Sequence, residues 1–126
     1  MAIVMFIDDN PETLELMERS ISMLGHQAIC CSDETSALQI ASQNQPDLIF
    51  TDLSLHSLDG LTLLRILKQH PETSTIPVIV VSAGSAHEHS LNALAAGADG
   101  FLEKPVRLDE LRHVFEKFLS NPQTQP

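Results

Sequence analysis

Three carboxylates, one hydroxyl and one ammonium lie at the ends of short apolar segments of this sequence. Asp8 and Asp9 follow the first segment, Asp52 ends the third, Ser82 follows the fourth, and Lys104 comes just after the fifth. If the segments are parallel strands, these side chains meet, because ligands of open parallel sheets gather outside the carboxyl ends of the strands. The residue types and their positions therefore predict one polar site.

Three carboxylates that converge on one crevice repel each other, and at neutral pH they either hold a proton or gather a cation. Mg²⁺ suits this group, because it prefers oxygen ligands and is usually held by one or two carboxylates together with a phosphate. Asp52 is the natural nucleophile for such a phosphate, since it stands alone and leaves Asp8 and Asp9 to hold the metal. Ser82 and Lys104 are suitable donors to the transferring oxygens.

Asp and Ser are also common at strand ends for a purely structural reason, since they cap the helices that follow. That explanation suits any one of these residues taken alone. It accounts poorly for five such residues at corresponding strand ends, so their combination favours a functional site.

Short β-rich apolar segments alternate with longer segments of helical spacing, which predicts an α/β fold of five βα units around a parallel, doubly wound sheet. The predicted strands are 2–7, 27–31, 48–52, 77–81 and 100–102. Five helices are predicted. The first begins at Asn10–Pro11, the second spans 33–43, the third begins at Gly60, the fourth begins at a capping box of Ser85 and Glu88, and the fifth spans 108–119. The fourth strand is continuously apolar, as expected of a central strand covered on both faces.

The length of 126 residues suits one domain, predicted over 1–120, with a tail over 121–126. No apolar run approaches the roughly 20 residues that cross a bilayer, and the first residues lack the basic region of a signal peptide. The chain is therefore predicted to be cytoplasmic and without membrane contact. Its 17 acidic and 7 basic residues give a net charge of −10, which argues against direct binding to nucleic acid.

The cysteines and most histidines suggest no further site. Cys30 and Cys31 are neighbours whose side chains would point to opposite faces of a strand, so neither a disulfide nor a shared metal is predicted. His26, His70 and His113 have no partner at a suitable spacing and are predicted to be surface residues.

Four segments match a known family: FIDDN at 6–10, FTDLSLHSLDG at 50–60, VVSAG at 80–84 and FLEKP at 101–105. Over nearly its whole length the chain resembles the receiver domains of two-component response regulators, and in particular the chemotaxis type. The resemblance implies a flavodoxin-like (βα)5 fold with strand order 2-1-3-4-5.

The resemblance also implies the composition of the metal site. Asp52 would be the phosphoacceptor and a ligand of Mg²⁺. Asp9 would bind the metal directly, Asp8 would bind it through water, and Ser54 would offer its backbone carbonyl.

Three further residues acquire roles from the same resemblance. The hydroxyl of Ser82 would move toward the phosphoryl group, and Phe101 would be the aromatic rotamer switch. Lys104 would bind a phosphoryl oxygen, with a cis peptide bond leading to Pro105.

The loop after Asp52 departs from the family pattern, with Leu55 and His56 where Met-Pro is usual. Ser54 and Gly84 are small residues at two positions that commonly tune the lifetime of the phosphoryl group. As a hypothesis, small side chains admit water and favour a short-lived phosphorylated state. A half-life of many hours in Mg²⁺ would contradict it.

The resemblance implies phosphorylation by a histidine kinase or a histidine phosphotransfer protein. The phosphorylated chain would switch a partner-binding face made of the fourth helix, fifth strand and fifth helix, as a monomer or a phosphorylation-dependent dimer. It would be no enzyme beyond its own phosphorylation and dephosphorylation at Asp52. Met1 and the short tail favour a free-standing receiver or phosphorelay intermediate, and the alternative is the receiver piece of a larger output-domain regulator.

Two rival functions fit the sequence less well. Phosphatases with an Asp nucleophile usually carry Asp-x-Asp at the first strand and need a substrate cap, whereas Asp8 and Asp9 are adjacent and no insertion is present. A flavodoxin-like electron carrier would need a phosphate loop rich in Ser, Thr and Gly after the first strand, and none follows it.

Overall fold

The computed structural model describes residues 1–53, 60–82 and 92–119, which form a five-stranded parallel sheet flanked by helices. The strands are β1 (Ile3–Ile7), β2 (Gln27–Cys31), β3 (Leu48–Asp52), β4 (Val78–Ser82) and β5 (Gly100–Glu103). The helices are α1 (Pro11–Met23), α2 (Glu34–Asn44), α3 (Gly60–Gln69), α4, described over 92–95, and α5 (Leu108–Phe118). None of the described helices has the length and hydropathy needed to cross a membrane.

The strand order is β2-β1-β3-β4-β5, and every neighbouring pair is parallel. This confirms the predicted α/β fold and the order that the resemblance implies. In the register of the sheet, Ile7 lies beside Thr51, and Asp52 lies beside Val81. The carboxyl ends of β1, β3 and β4 therefore meet at one edge, which is where the polar residues were predicted to converge.

Each face of the sheet is covered by its own apolar cluster. On one face, α2 and α3 pack against the sheet through Ala37, Ala41, Leu63, Leu64 and Leu67. On the other, α1 and α5 pack through Leu14, Met17, Ile21, Leu111, Val114 and Phe115. Every residue of β3 and β4 is buried, as predicted for β4, so the two central strands form a rigid support for the residues at their ends.

Helix caps explain where α1 and α2 begin. The side-chain oxygen of Asn10 accepts hydrogen bonds from the N–H groups of Glu12 and Thr13, at 2.9 and 3.4 Å, as predicted for an N-cap. Asp33 likewise accepts from the N–H of Thr35 at 3.0 Å, so it is the N-cap of α2 rather than its first residue. The predicted capping box of Ser85 and Glu88 lies outside the described residues.

The strand boundaries differ from the predicted ones by one residue at three strands. β1 begins at Ile3, β5 extends to Glu103, and β4 begins after Pro77. Proline has no N–H to donate to a neighbouring strand, so Pro77 contributes only its carbonyl, which accepts from Ile49 at 3.0 Å.

Cys30 and Cys31 form no disulfide with each other, as predicted. The thiol of Cys31 is buried and donates to the carbonyl oxygen of Asp33 at 3.0 Å. Burial, together with the nearby charge of Glu18, raises the pKa of Cys30 to about 11. The Cys30 thiol therefore stays protonated and weakly reactive at neutral pH.

The prediction that His26 is a surface residue without a partner is wrong. Its ring is half-buried, and Nδ1 accepts a hydrogen bond from the N–H of Ala2 at 3.0 Å. The ring also meets Phe115 of α5 edge-on, with centroids 4.9 Å apart. Spacing along the chain could not reveal these contacts, because they join residues from three separate segments. His70 departs from the same prediction, because it is half-buried and its Nδ1 accepts a hydrogen bond from the N–H of Glu72 at 3.2 Å. His113 is exposed, as predicted.

We expect the free energy of unfolding to fall as the pH drops below about 6.5, the ordinary pKa of histidine. Burial lowers the pKa of His26, the amino terminus lowers it further, and Asp47 partly opposes both. The unfolded chain then binds a proton at a pH where folded His26 remains neutral, so this stabilisation is complete above 6.5 and declines as the pH falls through it.

Chemical denaturation on both sides of pH 6.5 would measure the effect. His26→Asn offers an oxygen to the N–H of Ala2 without titrating, so its stability should depend less on pH in this range. His113→Gln changes an exposed histidine and should retain the wild-type dependence. Equal pH dependence in wild type and His26→Asn would contradict the assignment.

Candidate functional site

The backbone at the carboxyl edge of the sheet stays hydrogen-bonded beyond the strand ends. The N–H of Asp8 donates to the carbonyl of Cys31 at 3.1 Å, and the N–H of Leu53 donates to that of Val81 at 3.1 Å. The N–H of Lys104 donates to the carbonyl of Ser82 at 2.8 Å. The polar residues that follow the strands are therefore held by the sheet itself.

The three predicted carboxylates converge. One oxygen each of Asp8, Asp9 and Asp52 lies within 4.8 Å of the others. Asp8 is fully buried, Asp52 is 5% exposed, and Asp9 is half-buried. Buried charges of one sign are costly unless a cation accompanies them. The site therefore has the chemistry of a cation site built from oxygen ligands.

Lys104 supplies one positive charge to this site. Its Nζ donates to Oδ2 of Asp8 and to Oδ2 of Asp52, at 2.8 Å each. Burial by itself lowers the pKa of Lys104, but the hydrogen bonds and charges of Asp52 and Asp8 outweigh it and raise that pKa above its usual value. Lys104 is thus a cation at neutral pH. Three carboxylates against one ammonium leave two negative charges, which matches a divalent ion.

Asp8 is held in place from two sides. Its Oδ2 accepts from Lys104, and its Oδ1 accepts from the N–H of Asn10 at 2.9 Å. Asn10 also caps α1, so one residue connects the start of that helix to the carboxylate cluster. The sequence predicted Asn10 as a cap only, because a backbone contact two residues away leaves no signal in residue type.

Ser82 and Phe101 lie on the two strands beyond Asp52. Ser82 ends β4 and is 4% exposed, beside Glu103 in the register. Phe101 is half-buried, lies beside Val80, and packs against the apolar cluster on the α2 and α3 face. The Lys104–Pro105 peptide bond is cis, as the resemblance implies. Ser54, Leu55, His56 and Gly84 lie outside the described residues.

One contact was not foreseen from the sequence. Lys104 was assigned to a phosphoryl oxygen, and the structure places its ammonium between Asp8 and Asp52. The charges of the residues at the strand ends could have indicated this contact, because an ammonium close to three carboxylates pairs with them.

Comparison with known proteins identifies the family. The family described as "Response regulator receiver domain" matches residues 4–116. The transcriptional regulatory protein KdpE of Mycobacterium tuberculosis is 36% identical over 110 residues, which cover 87% of this chain and 47% of that protein. The sensor histidine kinase RcsC of Salmonella typhi is 31% identical over 109 residues, which cover 86% of this chain and 11% of that protein. The chain thus spans about half the length of KdpE.

Solved structures show the same fold. A putative response regulator from Chloroflexus aurantiacus has a TM-score of 0.89 and 28% identity, over 95% of this chain and 98% of that one. The receiver domain of a Pseudomonas aeruginosa sensor histidine kinase, solved with a magnesium ion in its active site cleft, has a TM-score of 0.86 and 24% identity, over 95% and 98%. By the match over residues 4–116, this chain belongs to the response regulator receiver domain family.

Proposed function

We propose that this chain accepts a phosphoryl group on Asp52. The donor is the phosphohistidine of a histidine kinase or of a histidine phosphotransfer protein, or a small phosphodonor. The observation that carries the proposal is the cluster of Asp8, Asp9 and Asp52 within 4.8 Å, with Lys104 bound to Asp52 at 2.8 Å. A receiver of this kind acts in the cytoplasm, without direct contact with nucleic acid or membrane.

The donor set suits Mg²⁺. Asp8, Asp9 and Asp52 supply carboxylate oxygens, which are the ligands that this ion prefers. The resemblance adds the backbone carbonyl of Ser54. Bound there, Mg²⁺ would neutralise the carboxylates and stabilise charge on the transferring phosphoryl oxygens. Asp8 has protein partners for both of its oxygens, which supports an indirect contact through water. The direct contact of Asp9 follows from the resemblance.

In the transfer, a carboxylate oxygen of Asp52 attacks phosphorus and forms a new P–O bond. The P–N bond of the phosphohistidine breaks, and its electron pair stays on the imidazole nitrogen. Lys104 and Ser82 donate to oxygens of the transferred group. Water later attacks phosphorus, breaks the same P–O bond and releases inorganic phosphate, which restores Asp52. These two reactions on its own side chain are the only ones that the chain catalyses.

Phosphorylation changes the charge at the end of β3. In the sheet, β4 lies next to β3, and β5 lies next to β4. Ser82 would move toward the phosphoryl group and Phe101 would change rotamer in response. Together they would reshape the face of α4, β5 and α5, where a downstream protein binds or leaves. The switch works in a monomer or in a dimer that forms on phosphorylation.

The same chemistry serves two contexts. The chain acts as a free-standing receiver or phosphorelay intermediate, or as the receiver piece of a longer regulator. The second context is supported by KdpE, of which the matched region covers 47%, and by the regulator NtrC of Proteus hauseri, of which it covers 25%. Asp52 and its neighbours have the same task in either one.

Intact mass after incubation with a small phosphodonor tests the proposal. We expect one added phosphoryl group per chain with Mg²⁺, mapped to Asp52, and none when a chelator removes the metal. No labelling with Mg²⁺ would refute the proposal. Repeated turnover of small phosphate esters would instead support the Asp-nucleophile phosphatase.

A further inference from the structure

The first residue of α3 lies directly against the backbone of the strand that ends at Asp52. Gly60 is buried, and its N–H donates to the carbonyl oxygen of Leu53 at 3.1 Å. A Cβ at Gly60 would overlap the carbonyl oxygen of Asp52 and would lie 2.5 Å from Cα of Leu53. Carbon atoms in ordinary contact are about 3.5–4.0 Å apart. These obstacles are backbone atoms that cannot rotate away, so any other residue requires the backbone to move.

Neither side of this contact moves easily. Asp52 lies beside Val81 in the sheet, and the N–H of Leu53 donates to the carbonyl of Val81 at 3.1 Å. On the helix side, α3 is anchored by three leucines, each at most 1% exposed: Leu63, Leu64 and Leu67. Because both sides are held and close-packed interiors transmit strain, neither side can absorb the whole overlap alone, so part of the displacement would fall on the backbone of Asp52.

We infer that Gly60 is a positioning residue for the Asp52 carboxylate. This role rests on the proposed function and extends it to a residue that touches no reacting atom. The carboxylate of Asp52 must keep its contact with Lys104 at 2.8 Å and its place beside Asp8 and Asp9. Its short side chain moves with the backbone, and a misplacement of about 1 Å costs about 10²-fold in rate. Because Gly60 has no side chain, the backbone of Asp52 can keep the position from which its carboxylate reacts.

Gly60→Ala tests this role in the full chain. The measurement is the rate of phosphorylation by a small phosphodonor at saturating Mg²⁺, as a function of donor concentration. We expect the maximal rate to fall by about 10- to 100-fold. The donor concentration that gives half the maximal rate should change by less than about twofold, because the groups that bind the donor remain. The rate is expressed per folded chain, because a loss of folded protein alone would also lower the maximal rate at an unchanged half-maximal donor concentration.

Two control variants distinguish an effect on the position of the Asp52 carboxylate from an effect on the stability of the fold. Gly100→Ala adds the same methyl group where it meets only side chains, with Cδ1 of Ile79 nearest at 2.8 Å, and that end of Ile79 can rotate. It should keep the wild-type rate. Leu67→Ala removes a buried side chain from α3 about two turns away from Gly60 and destabilises the packing without contact with Asp52. Its folded fraction should also keep the wild-type rate.

The outcomes are distinct. A wild-type maximal rate in Gly60→Ala, or an equal loss in Leu67→Ala, would overturn the positioning role. So would a Gly60→Ala chain that stays unfolded even in a stabilising osmolyte, because the contact would then hold the whole fold. A wild-type chain that takes up no phosphoryl group would overturn the proposed function itself, which is a different failure.

Discussion

Replacement of Asp52 with Asn is expected to abolish phosphorylation and to leave the chain folded. The carboxylate is the attacking group, and an amide of nearly the same size lacks its charge and nucleophilicity. Asp52 is 5% exposed, so this match in size preserves the packing at the end of β3. Intact mass after incubation with a small phosphodonor and Mg²⁺ should show one added group on the wild type and none on Asp52→Asn.

Asp47→Asn is a matched control, because Asp47 lies just before β3, at the opposite end from Asp52. Its Oδ2 accepts from the N–H of Ile3 at 2.8 Å, and an amide oxygen can accept the same bond. We expect full labelling of this variant. Full labelling of Asp52→Asn would refute the assignment of the nucleophile.

Lys104→Met is expected to slow phosphorylation by about 10²- to 10³-fold, the usual cost of losing one donor to a developing negative charge. Met retains much of the apolar stem and removes the ammonium that contacts Asp8 and Asp52 at 2.8 Å. The rate of phosphorylation by a small phosphodonor measures this effect. A rate within a few-fold of wild type would exclude Lys104 from the reaction.

The same variant should respond more strongly to Mg²⁺. Without Mg²⁺ it leaves the buried Asp8 carboxylate unneutralised, at a cost of about 3 kcal/mol, the low end for a buried ion pair because Lys104 is 24% exposed. Mg²⁺ should therefore raise its melting temperature more than that of wild type. Lys68→Met removes an ammonium that pairs with Asp99 at 2.9 Å, outside the site, and should show the wild-type response. Equal responses of all three proteins would contradict this account.

The fold could be predicted because strands and helices differ in the spacing of their apolar residues along the sequence. The continuous apolar segment of β4 indicated a strand covered on both faces, and α1 was marked at its start by Asn10 and Pro11. The strand order came from the resemblance to receiver domains. The spacing of apolar residues could not give it, since several strand orders bury the same faces of the strands. The predicted starts of β4 and α2 were each one residue too early. Pro77 has no N–H to donate within β4, and Asp33 caps α2 with its side chain and is not part of the helix.

The site could be predicted as a group of residues but not as a set of contacts. Parallel strands end at one edge, so the positions of Asp8, Asp52 and Lys104 predicted their convergence. The position along a strand does not say which side chains pair at that edge, so the placement of Lys104 between two carboxylates was missed. The close approach of Gly60 to Asp52 depends on how α3 packs against β3, which residue type alone does not reveal.

The ion pair between Asp8 and Lys104 joins residues 96 positions apart, one just after the first strand and one just after the last. A nascent chain or a proteolytic fragment that ends before β5 can contain all three aspartates and still lack their cation. Only a molecule with its complete sheet would then accept the phosphoryl group efficiently.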